Sequence, residues 1–306
     1  MTKLPLLLFG EVLYDCFPNT QPVLGGAPLN VAWHLQGFGE NPQLISAVGK
    51  DELGQNILSA MQDWGLSTEH VAIHDNLPTG VVNVTIDNGE PHYDIAENRA
   101  YDEIPVTAKL LQLLTQPAVF YHGSLAIRNP ISASGLAKIK NNKNLHRFVD
   151  VNLRSPWWQA ERVLDSLNYA AYVKLNHHEL TQLVNQDSPH QQINNDNWLA
   201  VARDFKTNHN IVHLLVTRGE YGATLIDSSG EQLAITPPQS QAPVVDTVGA
   251  GDAFAAVMLL GYLNDWDLTI TMERAQDFAN YIVTQRGAIC TNPATYRDFQ
   301  HLWNIV

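Results

Sequence analysis

The chain has 306 residues, of which 45% are hydrophobic and 16% charged, and its 31 acidic and 18 basic side chains give a formal net charge of −13. This hydrophobic share is enough for a large core and excludes a disordered chain, while the acidic balance argues against a nucleic-acid partner. Two cysteines, Cys16 and Cys290, are too few and too far apart for a disulfide framework or a cysteine zinc site.

The first apolar run, Leu6–Phe9, leads directly into Gly10 and Glu11. It is too short for a signal peptide and indicates a first buried strand. The sequence has no apolar stretch of about 18 residues, the length that a membrane span needs. We therefore expect a cytoplasmic protein without a membrane partner.

Short apolar runs alternate with longer helical patterns along the chain, which predicts an α/β fold with a mostly parallel sheet. The predicted strands are Leu6–Phe9, Gln43–Val48, Ala118–His122, Arg147–Val151, Tyr172–Leu175, Val212–Thr217 and Ala223–Ile226. The predicted helices are Asn30–Gly37, Gly54–Trp64, Ala133–Asn141, Ser155–Asn168, His178–Val184, Asn197–Thr207, Ala250–Leu263 and Met272–Gln285.

One region departs from this alternation. Gly80–Ile86 alternates polar and apolar residues, the dipeptide Asn88-Gly89 is typical of a tight turn, and Pro91–Ile95 resumes the pattern. These features predict an antiparallel hairpin, which we interpret as a lid and as a candidate surface for a homodimer. We assign no function to the polar loop Asn185–Asn197.

The segment Ala242–Leu260 carries the strongest chemical signal, because a Gly-Ala-Gly turn opens an apolar helix there. Gly249 and Gly251 let a ligand approach the backbone, and the unpaired N–H groups of the first helical turn attract anions. Asp252 adds a carboxylate beside this anion hole, as phosphoryl transfer requires of a general base. The alternative is that Asp252 only stabilises the helix start.

Five segments in order resemble the motifs of ribokinase-like, PfkB-type carbohydrate kinases. They are Gly25–Ala32 with Leu35, Gly37 and Gly39, then Asp150–Arg154, Asn176–Glu179, Thr217–Gly222 and Asp246–Asp252. The resemblance covers nearly the whole chain. It implies a single ribokinase-like domain over residues 1–306, with a three-layer α/β/α core and a small β-sheet lid formed by about residues 15–24 and 79–102.

The resemblance also implies roles for individual residues. The implied catalytic residues are the base Asp252, the anion-hole residues Gly249, Ala250 and Gly251, and Arg154 for charge stabilisation. The implied sugar-binding residues are Asp15, Gly25, Gly26, Asn30 and Asp252. The implied nucleotide-binding residues are Asn176, Thr217, Gly219, Gly222, Gly251 and Asn280. The implied metal positions are Glu179 for Mg²⁺ through water, and Asp246, the Val248 carbonyl and Gln285–Ala288 for K⁺.

Several of these residues also have ordinary structural explanations. Asp15 is alternatively a solvated loop carboxylate, and Asn30 a helix cap. Asn176 and Glu179, three residues apart at a helix start, also suit a cap. Arg154 is alternatively a surface arginine.

The resemblance implies an ATP-dependent sugar kinase that uses Mg²⁺. The opening residues Gly10–Pro18 and Pro28 most resemble bacterial fructokinases, which makes fructose the first expected substrate. The segment Tyr93–Asp102 departs from those enzymes and leaves ribose, 2-keto-3-deoxygluconate, tagatose or a nucleoside such as adenosine open. A sugar- or nucleotide-binding regulator without catalysis is the alternative from another functional class.

Overall fold

The computed structural model describes residues 4–18, 21–87, 90–237 and 243–305, and the elements named below belong to those ranges. The strands are β1 Leu6–Phe9, β2 Leu13–Cys16, β3 Val23–Gly25, β4 Pro42–Gly49, β5 Val71–His74, β6 Gly80–Asp87, β7 Glu90–Ile95, β8 Ala118–His122, β9 Leu145–Asp150, β10 Tyr172–Asn176, β11 His213–Thr217, β12 Ala223–Ile226 and β13 Gln232–Ile235. The helices are α1 Ala27–Gly37, α2 Glu52–Asp63, α3 Ala108–Leu113, α4 Pro130–Lys140, α5 Ala160–Leu167, α6 His177–Asp187, α7 Trp198–Asn208, α8 Ala250–Leu263, α9 Leu268–Ile282 and α10 Pro293–Leu302.

The larger sheet has the strand order β13-β12-β11-β10-β9-β8-β1-β4-β5 within the described residues. Its strand pairs are parallel except at β12, which is antiparallel to both β11 and β13. Parallel strands place their carboxyl ends at one edge, where ligands bind in folds of this kind. The predicted α/β fold with a mostly parallel sheet is confirmed.

Hydrophobic cores lie on both faces of this sheet. In β1, Leu6 and Leu8 belong to the core under α1, α8 and α9, whereas Leu7 and Phe9 belong to the core under α4. Successive strand side chains point to opposite faces, so two cores on one strand require helices on both sides. This is the predicted three-layer arrangement, and in one helical layer α8 has nine consecutive buried residues from Ala253 to Gly261.

A smaller sheet has the order β3-β2-β6-β7, in which β6 and β7 form the predicted antiparallel hairpin. The predicted turn Asn88-Gly89 lies outside the described residues, as do positions 19 and 20 of the predicted lid and Ala242, the first residue of the segment Ala242–Leu260. No helix in the described ranges is long and apolar enough to cross a membrane.

Two predicted helices differ most from the structure in the residue at which they begin. The helix predicted over Ser155–Asn168 begins only at Ala160, because Trp157 N–H bonds to the Arg154 carbonyl in a turn and Gln159 is extended. The helix predicted over Met272–Gln285 runs from Leu268 to Ile282, since the Asp267 carboxylate caps it by accepting the N–H groups of Thr269 and Ile270.

Candidate active site

The carboxyl edge of the large sheet brings the predicted segments together. Asp150 on β9 pairs in register with Lys174 on β10, and Asn176 on β10 pairs with Thr217 on β11. β1 ends at Phe9 two residues before Glu11, so this residue leaves the sheet at the same edge. Side chains from distant parts of the sequence therefore surround one site.

The first turn of α8 lies where the sequence predicts an anion hole. Gly249 is the N-cap residue with φ 82°, and a Cβ at this position would lie 2.6 Å from the Cβ of Ala288. Ala250, Gly251 and Asp252 follow as the first three helical residues. The N–H groups of a first turn have no partners within the helix. The Ala250 N–H makes a long contact of 3.4 Å with the Thr247 carbonyl, which an anionic ligand could replace.

Asp252 is held by Asn30, which is 222 residues away in sequence. The Asn30 Nδ2 donates to Asp252 Oδ2 at 2.8 Å. Burial raises the pKa of Asp252 to about 6, although the Asn30 hydrogen bond acts in the opposite direction. A carboxylate with this pKa is ionised at neutral pH and still accepts a proton, as a general base must.

Asn30 does not cap a helix. α1 begins at Ala27, three residues before the predicted start, and its N-cap residue is Gly26, which has no side chain for this purpose. Asn30 is 4% exposed and belongs to the second turn of the helix. The interpretation of Asn30 as a cap is therefore wrong, and its amide is free to orient Asp252.

Asp15, Gly25 and Gly26 form the other wall of the site. Asp15 lies on β2, and a Cβ on Gly25 would lie 3.0 Å from its Oδ2 atom. A Cβ on Gly26, where φ is 107°, would lie 2.7 Å from the Glu11 carbonyl oxygen, so only glycine fits there. Burial raises the pKa of Asp15 to about 6, against the positive charge of Arg154.

Glu11 is a buried carboxyl that the sequence did not single out. It is 4% exposed, and burial raises its pKa to about 7, although the backbone N–H groups of Glu11 and Ala27 donate to it. In the described part of the chain, Glu11 Oε2 and Asn30 Oδ1 are buried acceptors without a hydrogen-bond partner. The sequence feature that could have indicated Glu11 is a charged residue two positions after a wholly apolar strand.

Asn176 and Glu179 form a reciprocal cap at the start of α6. Asn176 Oδ1 accepts from the Glu179 N–H at 2.9 Å, and Glu179 Oε2 accepts from the Asn176 N–H at 2.8 Å. The second carboxylate oxygen of Glu179 accepts from the Leu153 N–H at 2.8 Å. The capping interpretation is confirmed, and each oxygen keeps a lone pair for a metal-bound water, so the residues fit the predicted indirect magnesium ligand. Among the residues with described positions, no group of three or more His, Cys, Asp or Glu side chains is arranged to hold a metal directly.

Asp150 and Lys174 form a buried ion pair that the sequence analysis missed. Lys174 Nζ donates to Asp150 Oδ1 at 2.8 Å and to Oδ2 at 2.9 Å, and both side chains are less than 10% exposed. Tyr121 OH donates to Asp150 Oδ2 at 3.3 Å. The sequence feature that could have indicated this pair is a lysine within the otherwise apolar run Tyr172–Leu175, because a buried charge requires a partner.

The predicted nucleotide segment follows β11. Thr217 ends the strand, and Gly219 and Gly222 bound a short turn in which the Gly222 N–H bonds to the Gly219 carbonyl. Asn280 lies on α9, where its Oδ1 accepts from Gln276 Nε2 at 2.8 Å. Arg154 is an exposed residue whose charge acts on Asp15, as described above, and also lowers the pKa of Asp252.

The predicted K⁺ segment is joined to the anion hole by Asp246. Its Oδ1 accepts from the Val248 N–H at 3.0 Å and its Oδ2 from the Gly287 N–H at 3.1 Å. This ties the segment before α8 to Gln285–Ala288, the stretch predicted to complete the cation site. K⁺ binding itself remains a prediction.

Known proteins resemble this chain over most of its length. It is 29% identical to the probable chloroplastic fructokinase-6 of Arabidopsis thaliana, with 94% of this chain and 79% of that protein covered. It is 27% identical to a putative sugar kinase of Pyrococcus horikoshii, with 87% and 83% covered. The crystal structure of a fructokinase with bound ATP from Xylella fastidiosa superposes with a TM-score of 0.82, at 20% identity and with 98% and 99% of the two chains covered.

A family profile also matches most of the chain. The profile of the pfkB family carbohydrate kinases matches residues 10–295, a range that includes every site segment described above. The ribokinase-like resemblance of the sequence and the expectation of an enzyme are thereby confirmed. The chain belongs to the pfkB family of carbohydrate kinases.

Proposed function

We propose that this kinase transfers the γ-phosphate of ATP to a primary hydroxyl of a small neutral sugar, with fructose as the first candidate. The observation that carries the proposal is the position of Asp252, a half-buried carboxyl with a pKa of about 6 at the first turn of α8, hydrogen-bonded to Asn30. Relatives named as fructokinases and a fructokinase structure with bound ATP support the choice of sugar and nucleotide.

Asp252 accepts the proton of the attacking hydroxyl, and the N–H groups at Gly249, Ala250 and Gly251 stabilise the transferred phosphoryl group. Arg154 adds positive charge at this edge. Mg²⁺ would neutralise the ATP phosphates, with Glu179 holding it through water. The lid of residues 15–24 and 79–102 closes over the sugar and excludes water.

The hydrogen-bonding groups of the sugar site favour a neutral polyol. The groups of this site that accept hydrogen bonds are Asp15, Glu11, Asp252 and the Asn30 Oδ1. Glu11 Oε2 and Asn30 Oδ1 have no described donor. Sugar hydroxyls supply such donors. A substrate with its own carboxylate, such as 2-keto-3-deoxygluconate, would meet the like-charged carboxylates of Asp15 and Asp252. We therefore rank fructose, tagatose and ribose above it.

A substrate panel tests this proposal. ADP release is measured with Mg·ATP and fructose, ribose, tagatose, 2-keto-3-deoxygluconate or adenosine, with and without K⁺. Phosphorus NMR of the product then identifies the phosphorylated hydroxyl. We expect the highest kcat/KM with a neutral sugar and a phosphate on its primary hydroxyl. Turnover with 2-keto-3-deoxygluconate alone would refute the neutral-sugar assignment, and binding without turnover of any substrate would favour a regulator.

A further inference from the structure

The buried ion pair of Asp150 and Lys174 lies next to the predicted anion hole. Lys174 Nζ is 3.4 Å from the position that a Cβ on Gly251 would occupy, and it donates to both oxygens of Asp150. Asp150 is 2% exposed and Lys174 is 7% exposed. Because such a pair costs desolvation energy that an apolar pair would not, its position under the first turn of α8 suggests a role beyond stability.

The strand ends that carry this pair are fixed by Glu179. Its two carboxylate oxygens accept from the N–H of Leu153, three residues after Asp150, and from the N–H of Asn176, two residues after Lys174. One side chain therefore holds both strand ends in place. The two strand ends that carry Asp150 and Lys174 cannot move apart without breaking these hydrogen bonds.

The two members of the pair act on Asp252 in opposite directions. Asp150 disfavours the charged form of Asp252, and Lys174 favours it. Other groups that face Asp252 are Asn30 from α1, Arg154 from the segment after β9, Glu11 from the segment after β1 and Tyr121 from β8. Among these groups, Asp150 and Lys174 are distinctive because each neutralises the other within a rigid buried contact.

We propose that Asp150 and Lys174 are positioning residues of the phosphoryl-transfer site. Their buried ion pair controls the electrostatic environment of the general base Asp252 next to the anion hole. The inference rests on the proposed function, because it takes Asp252 as the base. With the pair intact, the base remains ionised at neutral pH and keeps enough proton affinity to deprotonate a hydroxyl.

Two single substitutions test the proposal through the pH dependence of kcat/KM. Lys174→Met removes the positive charge, so the acid limb of the profile should shift upward by about one pH unit, the usual size for a neighbouring charge. Asp150→Asn removes the negative charge, so the limb should shift downward. Lys174→Arg keeps the charge and should leave the midpoint near that of the wild type. Loss of packing alone would not move the limb in opposite directions.

Arg128→Met is the matched control, because it breaks another buried ion pair, with Asp102, and neither residue is among the groups named above as acting on Asp252. We expect lower stability with an unchanged acid limb. If the single variants do not fold, the double variant Lys174→Met/Asp150→Asn leaves no unpaired buried charge. Its acid limb should lie below that of the wild type, because Asp150 acts more strongly on Asp252 than Lys174 does. An upward shift or no shift in the double variant would overturn the proposal, as would single-variant shifts in one direction or none.

Asp252→Asn separates this inference from the proposed function. If Asp252→Asn retains turnover with the same acid limb, another group is the base and the proposed function fails. If Asp252→Asn abolishes turnover while the variants of the pair keep the wild-type limb, only the inference about Asp150 and Lys174 fails.

Discussion

Gly249→Ala tests whether the backbone geometry of the anion hole controls the reaction. A Cβ at this position would lie 2.6 Å from the Ala288 Cβ and 2.7 Å from the Ala288 carbonyl oxygen. Carbon atoms normally approach to about 3.5 Å, so the turn must move by roughly 1 Å. A displacement of this size at a catalytic group costs on the order of 10² in rate. The left-handed backbone adds about 1 kcal/mol of strain and the overlap about 1–3 kcal/mol.

Gly230→Ala is the matched control. Gly230 has φ 88°, close to the 82° of Gly249, and a Cβ there would meet nothing within 4 Å. It should lose about 1 kcal/mol in urea unfolding and keep its kcat. Gly249→Ala should lose more stability and about 10² in kcat, measured by ADP release at a temperature where both variants are folded. If Gly249→Ala keeps its kcat while its stability falls as expected, the backbone of this turn does not hold the phosphoryl group.

Three further predictions concern charged groups. Because the pKa of Glu11 in the folded chain, about 7, exceeds the ordinary value of 4.5, its protonated form stabilises the fold below pH 4.5. This contribution is lost as the pH rises through 7, and Glu11→Gln should make the decline of the free energy of unfolding in urea smaller by roughly 3 kcal/mol; an unchanged decline would mean that other groups account for all of it. Wild-type kcat/KM should fall tenfold per pH unit below about 6, as Asp252 becomes protonated, and a flat profile between pH 4 and 6 would exclude it as the base. Arg128→Met should cost about 3–5 kcal/mol by leaving Asp102 buried without its partner, and a loss below 1 kcal/mol would show that water solvates the carboxylate.

The sequence predicted elements best where their apolar pattern was continuous. β8 and α8 have the predicted bounds, because nearly all of their residues are buried. β5 and β13 were missed because they are short strands at the two edges of the sheet and expose part of their surface. α10 was missed although Asn292 and Pro293 form a typical helix start, with the Asn292 side chain accepting from the Ala294 N–H.

Site residues could be predicted where they belong to a sequence motif, but not where their contact depends on the order of the strands in the sheet. The Gly-Ala-Gly-Asp turn indicated Asp252 by itself, and the family resemblance suggested Asn30, which the structure places beside it. The contact between Asp150 and Lys174 depends on β9 and β10 being neighbours. Apolar patterns do not reveal which strands pair, so this ion pair required the structure.

The central claim is that Asp252 removes the proton of the attacking hydroxyl. The most direct measurement is the single-turnover rate of phosphoryl transfer for Asp252→Asn and the wild type, with Mg·ATP and the best sugar of the panel, at saturating concentrations of both substrates. Asn preserves the size of the side chain and its contact with Asn30 but cannot accept the proton. We predict a rate loss on the order of 10²–10⁴, with unchanged ATP binding. A variant that binds both substrates and reacts at nearly the wild-type rate would contradict the account.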